Sequence, residues 1–309
     1  IESPVALLLP YRAKPAFRLQ HGVYFGKSRK MAVNMIQNEE IERALQRLRD
    51  VLKNTAENNR LCIAYSGGLD SRFLAFFASK CELEVELLHA SAAHVSPSES
   101  QNAVDRAQAM GLTVRVVHPP LPSPEALAAA GRNRCYVCKR SIFSFLQKQS
   151  SAPLCDGSNA SDALVFRPGS RAIKELGVHT PLADAGLTKP MIRAAAARLG
   201  LPDPQQPARP CLLTRFDYGD APDARRLRLT QQVEDFLSEL PELKAGFRLR
   251  WLGDQPLLHV ASANRFSSEE LGGIQTRLTE SFPELGSVHI EVMDNLSGWF
   301  DWRREVADA

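Results

Sequence analysis

Apolar residues recur along the first 160 positions in two spacings, one typical of helices and one typical of short buried strands. Helical spacing is clearest over residues 41–53, where the apolar positions are Ile41, Ala44, Leu45, Leu48, Val51 and Leu52. Apolar runs that predict strands follow at 61–65, 83–89, 113–118 and 153–155. Helices are predicted in the intervening segments, at 73–78, 98–110 and 142–149.

This alternation predicts an α/β fold with a parallel, doubly wound sheet that has helices on both faces. Ligands of such sheets bind beyond the carboxyl ends of the strands. Three polar segments follow strands at that edge, and they begin at Ser66, Ser91 and Asp156. We therefore expect the functional site along this edge of the sheet.

A second pattern begins after a segment rich in Pro and Gln, residues 202–210, which we interpret as a linker or an ordered crossing loop. Beyond it the spacing predicts helices at 224–240 and 267–282, and strands at 247–252, 257–261 and 287–292. These elements indicate a smaller α+β domain. We divide the chain into an extension of unassigned role (1–40), an α/β domain (41–205) and a C-terminal domain (206–309).

Composition narrows the class of protein. The chain has 309 residues and a net charge of +3, so nothing in its overall charge favours nucleic acid as a partner. No apolar run reaches the roughly 18–20 residues that span a bilayer, and no membrane association is expected. Six cysteines in a chain of this length do not form the framework of a small secreted domain. We predict a cytoplasmic protein.

The segment that follows the first strand has the properties of a phosphate-binding loop. Its functional residues are Ser66, Gly67, Gly68, Asp70 and Ser71. Two glycines permit a sharp turn and close approach of an anion, the helix start offers free N–H groups, and Asp70 can orient Mg²⁺. The Lys of a Walker loop is absent. The alternatives are a polar turn with serine caps, or a loop that binds nucleotide without turnover.

Further motifs follow in a fixed order along the chain. They are Arg134-Cys-Tyr-Val-Cys138-Lys139, Asp156-Gly157-Ser-Asn159-Ala-Ser-Asp162, Arg167-Pro-Gly169, Glu175-Leu-Gly-Val178, Gly186-Leu-Thr-Lys189 and Pro207-Ala-Arg-Pro-Cys211-Leu-Leu-Thr-Arg215. This series, over about residues 60 to 260, resembles the LarE-type ATP-dependent sulfur transferases of the PP-loop ATP pyrophosphatase superfamily.

The resemblance implies a specific activity. Family members use ATP to adenylate a carboxylate of pyridinium-3,5-dicarboxylate mononucleotide, release pyrophosphate, and convert the carboxylate to a thiocarboxylate for a nickel-pincer cofactor. It implies that residues 41–205 are the ATP pyrophosphatase domain and that residues 206–309 serve substrate binding or oligomerisation. It also implies a homo-oligomer, a sulfide or other sulfur donor, and nucleotide contacts from Ser91, Asp156, Gly157 and Asn159.

The chain departs from the family pattern in three places. About 60 residues precede the phosphate loop, the usual Trp-Asp-Lys-Pro-Ala segment reads Pro204-Gln-Gln-Pro-Ala208, and Phe166 replaces a tyrosine. These departures bear on the identity of the substrate rather than on the fold.

Cys135, Cys138 and Cys211 are candidate metal ligands. Three thiolates suit a [4Fe–4S] cluster with one free iron that could hold hydrosulfide, and the resemblance assigns the cluster to three-cysteine members. Other members sacrifice the sulfur of a single cysteine, at the position of Cys211. Zinc with Cys155 as fourth ligand, a redox Cys-x-x-Cys pair, and three unrelated cysteines remain alternatives. Cys62 and Cys81 are interpreted as core or surface residues without a role in the site, and Cys155 as a core residue at the end of a strand.

Charged residues in the C-terminal half are candidates for substrate binding. Arg167 and Arg215 could bind a phosphate or carboxylate through two parallel hydrogen bonds. Arg248 and Arg250 lie two apart on a strand and so share one face, and the resemblance implies a phosphate-binding role for the pair. It also implies that Glu234 lies near the sulfur site and, with Asp70 and Cys211, takes part in catalysis. Ordinary surface positions are the alternative for each.

Two other functions are compatible with the same loop. A tRNA thiolase of this superfamily would need a concentrated basic surface, yet basic and acidic residues are interspersed between Arg225 and Arg250. A non-catalytic protein that binds ATP or zinc would bind nucleotide without releasing pyrophosphate.

Overall fold

The computed structural model describes residues 26–164 and 167–307, with side chains for 38–164 and 167–303. Phe166 and most of the predicted extension, residues 1–25, lie outside the described residues. Contacts divide the chain into two units, residues 1–42 and 43–309. The predicted boundary at residue 205 stays a prediction. Within the described ranges, no helix combines the length and the apolar character that a membrane crossing requires.

The first sheet has four strands, all parallel, as the sequence pattern predicted. The strands are β1 (Arg60–Ala64), β2 (Glu84–Ala90), β3 (Val114–Val117) and β4 (Leu154–Cys155), in the spatial order β3-β2-β1-β4. The chain moves outward from β1 to β3 and then returns to the other side of β1. The carboxyl ends of β1 and β4 therefore flank the point where the strand order reverses, which is where ligands bind in such sheets.

Helices connect and cover these strands. They are α1 (Gly26–Thr55), α2 (Leu69–Lys80), α3 (Pro97–Gln108), α4 (Pro124–Ala129), α5 (Arg134–Gln149), α6 (Pro168–Glu175), α7 (Pro181–Asp184) and α8 (Lys189–Arg198). Parallel connections are right-handed, so the outward path through α2 and α3 and the return path through α5 fall on opposite faces. The pleat of β1 agrees with this arrangement, because Cys62 packs with Phe143 and Leu146 of α5.

The helix predicted at 41–53 is part of the longer α1, which begins at Gly26. Its apolar positions Ala44, Leu48 and Leu52 are completely buried. The spacing identified the helix correctly, but it placed the start too late because residues 26–40 lack a strong apolar stripe.

The second sheet has three strands of mixed direction. They are β5 (Phe247–Leu252), β6 (Gln255–Ala261) and β7 (His289–Met293). Strand β6 is central, antiparallel to β5 and parallel to β7. The remaining helices are α9 (Ala224–Ser238), α10 (Ser268–Ser281) and α11 (Trp299–Ala307). The prediction of a small C-terminal α+β region is confirmed.

The core of this second region includes residues from the first. Leu127 of α4 and Cys138 of α5 belong to the same buried cluster as Leu213, Val233 and Leu258. Burial of such side chains contributes about 1.5–3 kcal/mol each, so the cluster ties the two sheets together. It also brings the start of α5 against the segment that carries Cys211.

Candidate functional site

The loop after β1 is closed by its own serines. The Ser71 hydroxyl donates to the Gly68 carbonyl at 3.1 Å and accepts from the backbone N–H of Ser66 at 3.3 Å. Gly67 has φ of 73°, and a Cβ there would lie 2.6 Å from the Cβ of Ala103 on α3. Glycine is therefore required at this position both by backbone conformation and by the close packing of α3.

The N-terminus of α2 faces outward from this loop without a side-chain cap. Gly68 occupies the N-cap position and has no side chain to cap the helix, and its own N–H donates to the Ser66 hydroxyl at 3.3 Å. The first-turn N–H groups of a helix have no partners within the helix, and the helix dipole favours negative charge beside them. An anion such as a phosphate group would satisfy these donors.

Asp70 lies in this first turn and is paired with a lysine that the sequence reasoning left without a role. Lys189 is the first residue of α8, and its Nζ lies 2.8 and 2.9 Å from the two carboxylate oxygens of Asp70. Both side chains are about one quarter exposed. A partly exposed ion pair of this kind can open to a ligand, so Asp70 is available for Mg²⁺ and Lys189 for phosphate oxygens.

The loop after β4 packs directly on the phosphate loop. A Cβ on Gly157 would approach the backbone nitrogen of Ser71 to 2.9 Å, so only glycine fits. The Asn159 amide donates to Asp70 Oδ2 at 3.4 Å, and Asp156 Oδ1 accepts from the backbone N–H of Ser158 at 2.8 Å. We call residues 66–71 and 156–159 the nucleotide cradle, because the structure brings these predicted residues together at the reversal point of the strand order.

Ser91 lies at the end of β2, one strand farther from the reversal point. Its hydroxyl accepts from Ser100 of α3 at 3.4 Å, and Ser100 also contacts His89 Nε2 at 3.0 Å. The other imidazole nitrogen of His89 is 2.9 Å from the carbonyl of Tyr65, the residue before the phosphate loop. Burial lowers the pKa of His89, so a neutral imidazole connects β2, α3 and the entrance of the loop.

The three candidate ligand cysteines are neighbours in space. Cys135 and Cys138 stand three residues apart in the first turn of α5, and Cys211 immediately precedes a short 3₁₀-helix, Leu212–Arg215. Burial, together with the charges of Cys211 and Cys135, raises the pKa of Cys138 to about 12. Burial and then Cys135 also raise the pKa of Cys211. The thiols of Cys138 and Cys211 are therefore protonated at neutral pH unless a cation stabilises the thiolates.

A buried histidine, His94, lies beside this group, although no histidine of the sequence stands at a spacing typical of metal ligands. His94 Nε2 lies 4.0 Å from Cys138 Sγ, and the His94 carbonyl accepts from the N–H of Leu212 at 3.1 Å. Burial lowers the pKa of His94 to about 4. Its position follows from the loop after β2, so no local pattern around Cys135 or Cys211 could have indicated it.

The side chains of this group are not arranged as metal ligands in the structure. Throughout residues 38–164 and 167–303, no three His, Cys, Asp or Glu side chains stand where they could hold a metal ion together. Cys155 is completely buried and its thiol interacts with Cys62 and Asp156, so it belongs to the core as predicted and not to the Cys135 group.

Arg215 and Glu234, both predicted at the site, are bound to each other. Arg215 Nε and Nη2 each lie 2.7 Å from one oxygen of the Glu234 carboxylate, and the two side chains are 2% and 6% exposed. Glu234 also accepts from the N–H of Leu249 on β5 at 3.0 Å. Burial opposes the charge on Arg215, but the Glu234 carboxylate outweighs it and raises the arginine pKa. This pair holds the Cys211 segment rather than standing open to a ligand.

Arg248 and Arg250 lie on one face of β5, and neither is on the exposed surface that was the alternative. Arg248 Nη2 donates to the Ala208 carbonyl at 3.0 Å, whereas the Arg250 guanidinium contacts His259 and the Leu296 carbonyl and lies over Trp299. Burial, together with the charge of Arg215, lowers the pKa of each arginine to about 10. Of the two, Arg248 is the less buried and the better placed for an anion.

Arg167 stands apart from this group of arginines. Its Nη1 pairs with Asp162 Oδ1 at 2.8 Å, and its side chain is 56% exposed. Asp162 accepts from the backbone N–H of Asn159, so Arg167 lies on the outer side of the nucleotide cradle. Its assignment to substrate stays a prediction.

The chain is similar in sequence to three known proteins from different organisms. No protein-family model matches it. It is 33% identical to the uncharacterized protein slr1717 of Synechocystis over 205 residues, which are 65% of this chain and 75% of that protein. It is 30% identical to the uncharacterized protein MJ0830 of Methanocaldococcus jannaschii over 67% of this chain and 79% of that protein. It is 26% identical to the pyridinium-3,5-bisthiocarboxylic acid mononucleotide synthase of Lactiplantibacillus plantarum over 59% of this chain and 68% of that enzyme.

Proposed function

We propose that the chain, which belongs to one family with slr1717 and MJ0830 and is also similar to the pyridinium-3,5-bisthiocarboxylic acid mononucleotide synthase, is a LarE-like ATP-dependent sulfur transferase. Its proposed substrate is a pyridinium dicarboxylate mononucleotide, because the named relative makes the corresponding bisthiocarboxylic acid mononucleotide. The observation that carries the proposal is the start of α2, which has no side-chain cap and lies beside the pair of Asp70 with Lys189.

The first proposed step is adenylation. The β- and γ-phosphates of ATP bind the N–H groups at the start of α2, and Lys189 neutralises their charge while Asp70 is released to hold Mg²⁺. A substrate carboxylate oxygen attacks the α-phosphorus, the bond from that phosphorus to the bridging oxygen breaks, and pyrophosphate leaves. Backbone donors that are already in place contribute mainly by positioning and charge stabilisation.

The second proposed step forms the thiocarboxylate. A sulfur nucleophile attacks the acyl carbon, the bond from carbon to the AMP oxygen breaks, and AMP leaves. Cys211 is the residue proposed to present or donate this sulfur. Lys139 supports the link between the two chemistries, because it lies on α5 beside Cys138 and its Nζ is 3.9 Å from Asp156 of the nucleotide cradle. Arg248 is proposed to bind the substrate phosphate.

A [4Fe–4S] cluster remains the proposed sulfur carrier. Cys135, Cys138 and Cys211 fit it by number and by chemistry, since a cationic cluster would stabilise the thiolates of Cys138 and Cys211, whose pKa values are raised in its absence. When bound, the cluster would supply an iron site for hydrosulfide. The thiols do not converge on an ion as they stand, so binding requires their side chains to rearrange.

The decisive experiment supplies purified protein, kept anaerobic, with ATP, Mg²⁺, sulfide and pyridinium-3,5-dicarboxylate mononucleotide. We expect substrate-dependent pyrophosphate release and a product in which one carboxylate oxygen is replaced by sulfur, detected by mass spectrometry. Cys211→Ser should keep pyrophosphate release and lose the sulfur-containing product. Cys81→Ala, which removes a thiol beside Arg49 at the end of α2, is the matched control and should keep both.

Three results separate the proposal from its rivals. Pyrophosphate release that requires tRNA instead of the mononucleotide would identify a tRNA thiolase, and nucleotide binding without any release would identify a binding protein. Iron and sulfide measured in the wild type and in Cys135→Ala test the cluster, which is excluded if iron-free protein still forms thiocarboxylate at the wild-type rate.

A further inference from the structure

The segment between the two domains is anchored at the phosphate loop by a buried glutamine. Gln206 is 7% exposed, and its Nε2 donates to the Gly67 carbonyl at 3.1 Å. Its Oε1 accepts from Arg72 Nη1 at 2.6 Å. Arg72, itself only 2% exposed, also donates to the Pro202 carbonyl. The segment predicted as a linker or a crossing loop is thus an ordered crossing loop fixed to α2.

The other end of the segment is held beside the thiols. The Ala208 carbonyl accepts from Arg248, and the Pro210 carbonyl accepts from Arg215 Nη1 at 3.0 Å. Cys211 follows directly, five residues after Gln206. Prolines at 202, 204, 207 and 210 restrict the backbone, so the segment transmits a displacement instead of absorbing it.

The hydrogen bond from Gln206 to the Gly67 carbonyl depends on what binds the other side of the same peptide group. The Gly67 carbonyl and the Gly68 N–H belong to one peptide group. The Gly68 N–H now donates to the Ser66 hydroxyl at 3.3 Å. An anion that replaces this hydroxyl is a stronger acceptor, so it polarises the peptide group and makes the Gly67 oxygen a stronger acceptor in turn. Its donors are the amide of Gln206 and the guanidinium of Arg106, which lies at 3.3 Å.

We propose that residues 202–211 form a strap that couples the phosphate loop to Cys211, with Gln206 as the positioning residue. Nucleotide in the loop strengthens the hydrogen bond from Gln206 and makes opening of the strap rarer, so Cys211 is held most firmly when the acyl-adenylate can form. The proposal rests on the proposed function, because it requires nucleotide at the loop. Coupling of this kind is reciprocal, so an ordered strap also favours nucleotide binding.

Hydrogen–deuterium exchange of the full chain, with and without α,β-methylene ATP and Mg²⁺, tests the coupling. Peptides that cover 66–72 report on the loop, and peptides that cover 203–213 report on the strap. In the wild type we expect the nucleotide to slow exchange in both, by about fivefold in the strap, the lower end of typical coupling between sites.

Gln206→Glu shows whether the strap is protected through the hydrogen bond of Gln206 or only because the nucleotide covers it. Glutamate still accepts from Arg72, but it cannot donate to the Gly67 carbonyl. We expect the nucleotide to protect the loop of this variant and to leave strap exchange unchanged within twofold. Gln206→Met, which removes the donor without adding charge, should behave alike. Gln205→Glu, the same change at an exposed neighbour, should retain wild-type protection of both segments.

The possible outcomes separate the two proposals. Absence of loop protection in the wild type would refute nucleotide binding and the coupling together. A protected loop with an unprotected strap would overturn the coupling alone, and so would equal strap protection in Gln206→Glu, since the nucleotide would then merely cover the strap. In turnover, we expect Gln206→Glu to yield about fivefold less thiocarboxylate per pyrophosphate released.

Discussion

The nucleotide cradle differs from a second region in the groups that form it. We call this second region the arginine–cysteine region, and it comprises Cys135, Cys138, Cys211, Arg215, Glu234 and Arg248. The cradle is built mainly from backbone groups of two short loops, and the donors at the start of α2 are left open. The arginine–cysteine region is built from buried side chains of α5, α9, β5 and the segment before Leu212, and its charges are already engaged within the protein.

Because of this difference, a ligand would have to displace different protein contacts in the two regions. A phosphate at the cradle would meet the N–H groups at the start of α2, and the groups it would displace are the Ser66 hydroxyl and the pair of Asp70 with Lys189. A ligand of the second region must instead compete with internal hydrogen bonds or convert buried thiols to thiolates. We expect changes in the cradle to alter activity and changes in the second region to alter stability first.

The largest effect is expected for Glu234→Gln. It leaves the Arg215 guanidinium buried without its carboxylate, and removal of one partner from a buried ion pair costs about 3–5 kcal/mol. Chemical denaturation should show this loss in the free energy of unfolding. The double variant Arg215→Met with Glu234→Leu should recover most of it, and a double variant as unstable as the single one would contradict our description of the pair.

The next effect concerns activity in the cradle. Asp70→Asn removes the carboxylate that pairs with Lys189 and is proposed to hold Mg²⁺, while it retains the side-chain volume. We expect pyrophosphate release to fall by about 10²–10³-fold, the cost of removing one group that stabilises charge in a transition state, with the melting temperature nearly unchanged. Asp105→Asn, an exposed position on α3, is the matched control and should retain activity. A fully active Asp70→Asn would remove Asp70 from the mechanism.

A smaller effect is expected on the pH dependence of stability, and it arises in the second sheet. His259 is completely buried on β6, where Nδ1 accepts from Arg250 and Nε2 donates to Glu291 at 3.1 Å. Burial, together with the charge of Arg250, lowers its pKa to about 3. Below about pH 6.5 the imidazole is protonated in the unfolded chain but stays neutral in the folded protein. The contribution of His259 to the free energy of unfolding is therefore present above pH 6.5 and is lost as the pH falls toward 3.

The pH dependence of unfolding tests this assignment. Between pH 7 and pH 5, His259 alone should remove about 2 kcal/mol of stability, and His259→Gln should flatten the profile by that amount. His118→Gln, which replaces an exposed histidine, should leave the profile as it is in the wild type. An unchanged profile in His259→Gln would show that the imidazole is not held neutral.

The same contrast explains which features could be predicted from the sequence. The cradle follows from consecutive residues, so the motif at Ser66 and the turn at Asp156 could be placed by the strands before them. The role of Lys189 and the position of His94 could not, because they depend on contacts with residues far away in the chain. Arg215 and Glu234 were identified as candidates, but their mutual pairing depends on how α9 packs against β5.

The smallest effect on stability is expected for Arg167→Ala, which tests whether the surface beside the cradle belongs to the site. The pair of Arg167 with Asp162 is exposed, so its loss should change the free energy of unfolding by at most about 1 kcal/mol. If Arg167 binds the substrate phosphate or carboxylate, KM for the mononucleotide should rise about tenfold with kcat within twofold, because a charge-assisted hydrogen bond contributes about 1.5–3 kcal/mol. Arg171→Ala, which breaks the similarly exposed pair with Glu175 on α6, is the matched control. Equal KM values in the two variants would assign Arg167 to the solvated surface and leave substrate recognition to Arg248.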